Sequence, residues 1–221
     1  MCNDMGVHMR YRDVVLSIGL GLVLMGCAQL WEGGWDGVVG GGGIEEREDL
    51  FVEGEDGWVV FETNDPDDWG SAGVTMWAGV GEEDPFEGWE VEVVKECGDG
   101  AAGYGVVFNE GEEGGDEVMY VVLITIEGEY IVGEVVDGVF EAFEGWKQSS
   151  AIERGYGQVN RLGVSRDGDG YVVRCNGADV TRMEDDEPPV RTGGRYGYIV
   201  VISPEDEFPE VGVRVKFREV K

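Results

Sequence analysis

Val118-Met119-Tyr120-Val121-Val122-Leu123-Ile124-Thr125-Ile126 is a run without a charge, dominated by β-branched and aromatic side chains and closed by Glu127-Gly128. It is short for a helix, and its composition suits a pleated strand. A strand with one wet face alternates polar with apolar residues, so a continuous apolar run predicts a central strand covered on both sides.

The pattern holds on either side of this run. Tyr130 to Val136 follows the Glu127-Gly128 turn and stops at Asp137-Gly138, a turn pair of the kind that joins hairpin strands. Upstream, Trp89, Val91 and Val93 alternate with Glu90 and Glu92, and Gly98-Asp99-Gly100 leads into Tyr104 to Phe108. Downstream come Leu162 to Ser165, a turn around Asp167-Gly168-Asp169-Gly170, Tyr171 to Cys175, Asn176-Gly177, Tyr196 to Ile202 and Val211 to Val220. Turn signals recur roughly every 8 to 12 residues with no helical period, which predicts an all-β, two-sheet antiparallel sandwich or jelly roll.

The N-terminus has a different logic. Arg10 and Arg12 precede an apolar run from Val14 through Met25, and Gly26-Cys27 follows; these are the charged, apolar and cleavage regions of an export signal, in order. The run is too short to span a bilayer core, which takes about 20 apolar residues. Leu24-Met25-Gly26-Cys27 resembles the lipobox of bacterial lipoproteins, with Met25 a departure from the small or β-branched residue usual there. That resemblance implies a diacylglycerol on the Cys27 thiol and cleavage before it, making residues 1–26 a signal peptide. The competing reading is an ordinary secreted protein with a cysteine beside its cleavage site. Translation from Met9 in place of Met1 would give a tidier charged region. Ala28 after the cysteine, where an Asp would favour the inner membrane, makes the outer membrane the expected location.

Removing residues 1–26 from the 221-residue chain leaves 195 and takes away Asp4, Asp13, Arg10 and Arg12, which cancel, so the net charge of −31 stays with the mature protein. Such a surface repels phosphates, and no nucleic-acid role is expected. With only Lys95, Lys147, Lys216 and Lys221 beside 47 acids, it would suit a saline habitat, where salt screens self-repulsion. The sole histidine, His8, falls in the signal segment. The mature chain therefore lacks Ser-His-Asp and Cys-His chemistry and any histidine-bearing metal site. Residues 27–49, with Gly33-Gly34, Gly40 to Gly43 and Glu45-Glu46-Arg47-Glu48, read as a lipidated, glycine-rich acidic tether; Trp31 and Trp35 within it are suited to a membrane interface. Residues 50–221 form the domain. Cys97 and Cys175 could pair in an oxidising compartment, or each could be a small buried apolar residue.

From Trp89 onward the order of the pieces resembles the concanavalin A-like lectin/glucanase superfamily, in particular its laminin-G-like and sugar-hydrolase-like jelly rolls. The residues carrying it are Trp89-Glu90-Val91-Glu92-Val93, Gly103 to Phe108, Tyr120 to Ile126, Gly128-Glu129-Tyr130, Asp137-Gly138, Trp146, Asn160-Arg161-Leu162, Asn176-Gly177 and Gly194-Arg195-Tyr196-Gly197. Residues 50–88 would supply the first strands and match poorly. The resemblance implies a jelly roll whose concave face or rim loops bind glycan, in some members with Ca2+.

Glucanases of this superfamily carry Glu, Asp and Glu at alternate positions of one strand. The nearest stretch here, Glu90 to Glu96, has Glu92 for the aspartate and Val94 where the second glutamate belongs. Alternation also sends Val91 and Val93 inward and the glutamates to solvent, so catalysis by this strand is not expected. Asp167 and Asp169 begin like a calcium loop, but Tyr171 occupies the third ligand position and no bidentate glutamate follows; a hairpin turn fits better. Calcium held by separate loops stays open. For glycan stacking the candidates are Tyr104, Tyr120, Tyr130 and Trp146, each of which also fits the core. Asn160 and Arg161 either contact ligand or serve as a turn-closing amide and a surface ion-pair partner. The sequence thus points to a lipid-anchored, extracytoplasmic, non-catalytic module binding polysaccharide or a cell-envelope protein. The alternatives are a glycosidase-like hydrolase using two carboxylates and a purely structural envelope protein.

Overall fold

The computed structural model describes residues 43–65, 73–183, 192–204 and 208–221. In chain order the strands are β1 (Ile44–Glu46), β2 (Phe51–Glu53), β3 (Val59–Thr63), β4 (Val74–Glu83), β5 (Gly88–Cys97), β6 (Tyr104–Glu113), β7 (Asp116–Ile124), β8 (Glu129–Val136), β9 (Val139–Ala142), β10 (Lys147–Gln148), β11 (Asn160–Asp167), β12 (Gly170–Cys175), β13 (Ala178–Met183), β14 (Gly194–Ile202) and β15 (Val213–Glu219). The first sheet runs β1-β4-β14-β6-β7-β8-β10, with β9 also on β8, and the second runs β13-β12-β11-β5-β15-β3-β2. Pairing is antiparallel except for β1 on β4. The all-β sandwich expected from the sequence is the fold observed.

The turns form for the reasons read in the sequence. Asn176 and Gly177 sit at φ 51° and 81°, the left-handed pair that a two-residue hairpin between β12 and β13 demands. Asp167 pairs in register with Gly170 across the β11–β12 turn and its carboxylate forms an ion pair with Arg182 of β13, so this acidic turn is a hairpin and that carboxylate is already engaged.

β7 is central and covered on both faces, as its composition required. Tyr120, Val122 and Ile124 point between the sheets, with Val91, Val93, Leu162, Val173 and Val215 of the second sheet in the same core. Met119, Val121 and Leu123 point the other way and join Trp77, Val107, Ile131, Val135, Ile199 and Val201 in a second apolar cluster on the outer face of the first sheet. Burying side chains of this size stabilises by about 1.5–3 kcal/mol each, so both clusters support the fold.

The structure places the start of the sandwich and separates the two cysteines. The sandwich begins earlier than residue 50, because Ile44 packs against the outer cluster, Ile44–Glu46 pairs with β4, and Arg47 N–H donates to the Trp77 carbonyl. An apolar residue beside an open strand edge gains more from docking than from solvation. The rest of the expected tether, the signal segment and Cys27 lie outside the described residues. Cys97 and Cys175 do not pair, since Cys175 is a free, buried thiol. The register explains why. Leu162 of β11 lies between Cys175 of β12 and Val91 of β5, and Cys97 is six residues farther along β5. At about 3.3 Å per residue that offset is roughly 20 Å, whereas a disulfide needs Cα atoms within about 7 Å.

Candidate functional site

The strand carrying the candidate acids, β5, is central in the second sheet. Its register places Val91 and Val93 in the core and turns Glu90, Glu92 and Glu96 outward. Outside, the glutamates meet the basic residues of the neighbouring strands. Glu92 accepts from Arg218 Nε at 2.9 Å and pairs with Arg161 at 3.5 Å. Glu96 accepts from Lys216 Nζ at 2.9 Å and pairs with Arg214 Nε at 2.8 Å. Arg214 reaches on to Glu62 of β3. The result is a row of alternating donors and acceptors across β11, β5, β15 and β3, as opposite charges on adjacent strands dictate.

Trp58, immediately before β3, borders this row. Lys216 Nζ lies 5.1 Å and the Arg218 guanidinium 4.4 Å from its ring centroid, cation–π contacts that fix both bases beside the half-buried indole. The sequence reading passed over Trp58. The signal was an isolated indole after the acidic turn Gly54-Glu55-Asp56-Gly57, which no core position requires.

Electrostatics set what these acids can do. The Arg218 hydrogen bond, helped by Arg161, holds the Glu92 carboxyl below the ordinary glutamate range. Partial burial pushes Glu96 up, but Lys216 and Arg214 outweigh it and leave it lowered. Both are fixed as carboxylates, the opposite of a general acid. Glu134 is different. It faces Glu141 across β8 and β9, and burial, then Glu141 and Glu113, raise its carboxyl.

The sequence-predicted ligand residues separate into groups. Tyr104, Tyr120 and Tyr130 are 1%, 4% and 8% exposed and belong to the core between the sheets; Tyr130 also donates to the Val180 carbonyl at 2.8 Å. Their rings therefore offer no face to a ligand. Asn160 is fully buried and structural. Its Oδ1 accepts from Glu153 N–H at 2.8 Å and Asn176 Nδ2 at 2.9 Å, and its Nδ2 donates to the Glu153 carbonyl at 3.0 Å. Arg161 is exposed and pairs with Glu92. Trp146 keeps part of its ring in solvent and rests against the outer cluster of the first sheet. Among the described residues no group of three or more His, Cys, Asp or Glu side chains is arranged to hold a metal ion.

No family model and no curated protein sequence matches the chain. Solved structures do. A β-glucanase from Bacillus licheniformis superposes with a TM-score of 0.52 at 10% identity, covering 81% of this chain and 86% of the enzyme. A prokaryotic β-1,3-1,4-glucanase (lichenase) from a mouse hindgut metagenome gives 0.51 at 13% identity, with 84% and 87% covered. A glycosidic hydrolase gives 0.50 at 12% identity, with 79% and 80% covered. This chain has the concanavalin A-like jelly-roll fold. At such identities the likeness is one of architecture, and the function of this jelly roll must be argued from its own side chains.

Proposed function

We propose that this jelly roll is a non-catalytic carbohydrate-binding module, exported, lipidated at Cys27 and held at the outer membrane. The observation that carries the binding half is the ordered row of ionised Glu92 and Glu96 with Arg161, Arg214, Lys216 and Arg218 beside Trp58. Hydroxyl-rich ligands are recognised by fixed donors and acceptors next to an aromatic surface, and these acids are held ionised, unfit to protonate a leaving group. Measuring binding to a polysaccharide panel, with Trp58→Ala as the control, tests this reading.

The anchoring half rests on the order Arg12, Val14 to Met25, Gly26-Cys27. Mass spectrometry of the membrane-extracted chain should find an N-terminal Cys27 carrying a diacylglycerol, and Cys27→Ala should release the domain from the membrane fraction. A mature terminus elsewhere contradicts it.

One observation favours a hydrolase instead. Glu134 and Glu141 are cross-strand neighbours, and burial together with the nearby carboxylates raises the Glu134 carboxyl, the direction a general acid needs. Reducing-sugar release from β-glucans abolished by Glu134→Gln would establish that reading; the binding-module reading expects no release.

A further inference from the structure

Between β5 and β6 the chain passes through Gly98 to Gly103. Two carbonyls of this loop, those of Asp99 and Ala102, turn onto one nitrogen, the Lys95 ammonium, at 2.5 and 2.7 Å. The same ammonium lies over the Tyr104 ring, 5.6 Å from its centroid. Of the four lysines only Lys95 is fully buried, and the Asp99 carboxylate supplies the opposing charge. That carboxylate is itself held, with Oδ1 accepting from Ala101 N–H at 2.9 Å and Oδ2 from the hydroxyl of Ser203, just beyond β14, at 2.6 Å. A third segment joins them, because Tyr156 donates to the Gly98 carbonyl at 2.5 Å and Gly157 N–H to the Lys95 carbonyl at 2.9 Å. Gly98 makes room for the lysine stem, since it sits at φ 130° and a Cβ there would lie 3.0 Å from Lys95 Cε.

Converging carbonyl dipoles, a carboxylate and an aromatic face are the surroundings of a bound cation. We infer that this loop is a cation site filled from within, where the Lys95 ammonium pins residues 98–103, 156–157 and 203 together at one end of the sandwich as a bound metal ion would. The coordination suits a monovalent ammonium. Two carbonyls fall far short of the roughly 6–8 oxygen ligands that calcium takes, and the single Asp99 carboxylate balances one positive charge, not two. The residue type follows from the same geometry. This chain is far richer in arginine than in lysine, yet a compact ammonium can be approached from several sides at one point, whereas a planar guanidinium fork cannot close on it. The inference is independent of what the outer face of the second sheet binds.

The site can be emptied and refilled from solution. Lys95→Ala removes the aliphatic stem and the ammonium, a fragment that n-propylammonium matches in length and charge. The variant should melt below the native chain. Its midpoint should rise saturably with n-propylammonium chloride, beyond equal concentrations of sodium chloride or n-propanol, and the native chain should show no such gain. Lys95→Met, which fills the space without a charge, keeps the inference testable if Lys95→Ala does not fold. In it, Ala101 N–H should exchange with deuterium at least about tenfold faster than in the native chain, the equivalent of about one hydrogen bond. Glu117 N–H, which donates to Asp137 Oδ1 at 3.1 Å at the far end of β7, should keep its rate. Absence of a gain specific to the ammonium in Lys95→Ala, or unchanged Ala101 exchange in Lys95→Met, overturns the inference. Slower Ala101 exchange in the native chain with calcium than with magnesium would assign the loop to a metal ion and overturn it too.

Discussion

Lys95 is a charged side chain with almost no water. It points inward from β5, is 0% exposed, and its ammonium donates to the carbonyls of Asp99 and Ala102, at 2.5 and 2.7 Å. Burial pulls its pKa down to about 8, with Asp99 opposing. The unfolded chain, with a pKa near 10.5, therefore binds more protons than the folded one between pH 8 and 10.5, and stability should rise with pH across that window. The contribution is up to about 3 kcal/mol. Burial also raises Cys175 to about 12, which removes stability above pH 9, so the comparison is made by urea denaturation at pH 7 to 9 between the native chain and Lys95→Met. The variant should lose the upward slope; an unchanged slope refutes the assignment. Asn160→Ala removes the partner of both Glu153 N–H and the Glu153 carbonyl, at an expected cost of about 2–3 kcal/mol, whereas Arg161→Ala should cost less than about 1 kcal/mol. At this scale the sequence left roles open for a physical reason. Tyr104 and Tyr120 sit in strands apolar on both faces, where alternation carries no sign of inside or outside, and Asn160 declares its turn only when Glu153 and Asn176 come together in space.

Between residues and molecule, β5 and β7 were readable because each had a clear pattern, strict alternation in one and unbroken apolarity in the other. β4 was not. Val74 to Glu83 is interrupted by Gly79 and Gly81, and a side chain at Gly81 would meet the Tyr196 hydroxyl at 2.5 Å and displace that ring, a contact visible only across the β4–β14 pair. β1 was hidden for the opposite reason, three residues of strand at the end of a glycine-rich stretch. The ladder of charges on β5 and β15 is a property of paired strands, so the sequence showed the acids without their partners. Glu92→Gln, which unpairs Arg218 and Arg161, should lower stability by no more than about 1 kcal/mol by urea denaturation. A loss of several kcal/mol would mean the row is a structural core of the second sheet, not an accessible surface.

For the whole molecule the dominant long-range quantity is the net charge of −31. Like-charge repulsion destabilises the compact state and is screened by salt, so the thermal midpoint should climb as sodium chloride rises toward molar concentrations. An invariant midpoint would show that local ion pairs already offset the repulsion. The same charge makes the basic residues around Trp58 an exception on an acidic surface, which is why the second sheet, and not the loops, is the proposed contact. The central claim is that this face binds carbohydrate without cleaving it. Its most direct test is affinity electrophoresis of the mature chain in gels containing individual polysaccharides, with calcium and with chelator. The account predicts retardation by at least one polysaccharide, lost in Trp58→Ala and kept in Trp146→Ala, with no product released. Equal mobility in every gel, or retardation indifferent to Trp58, would contradict it.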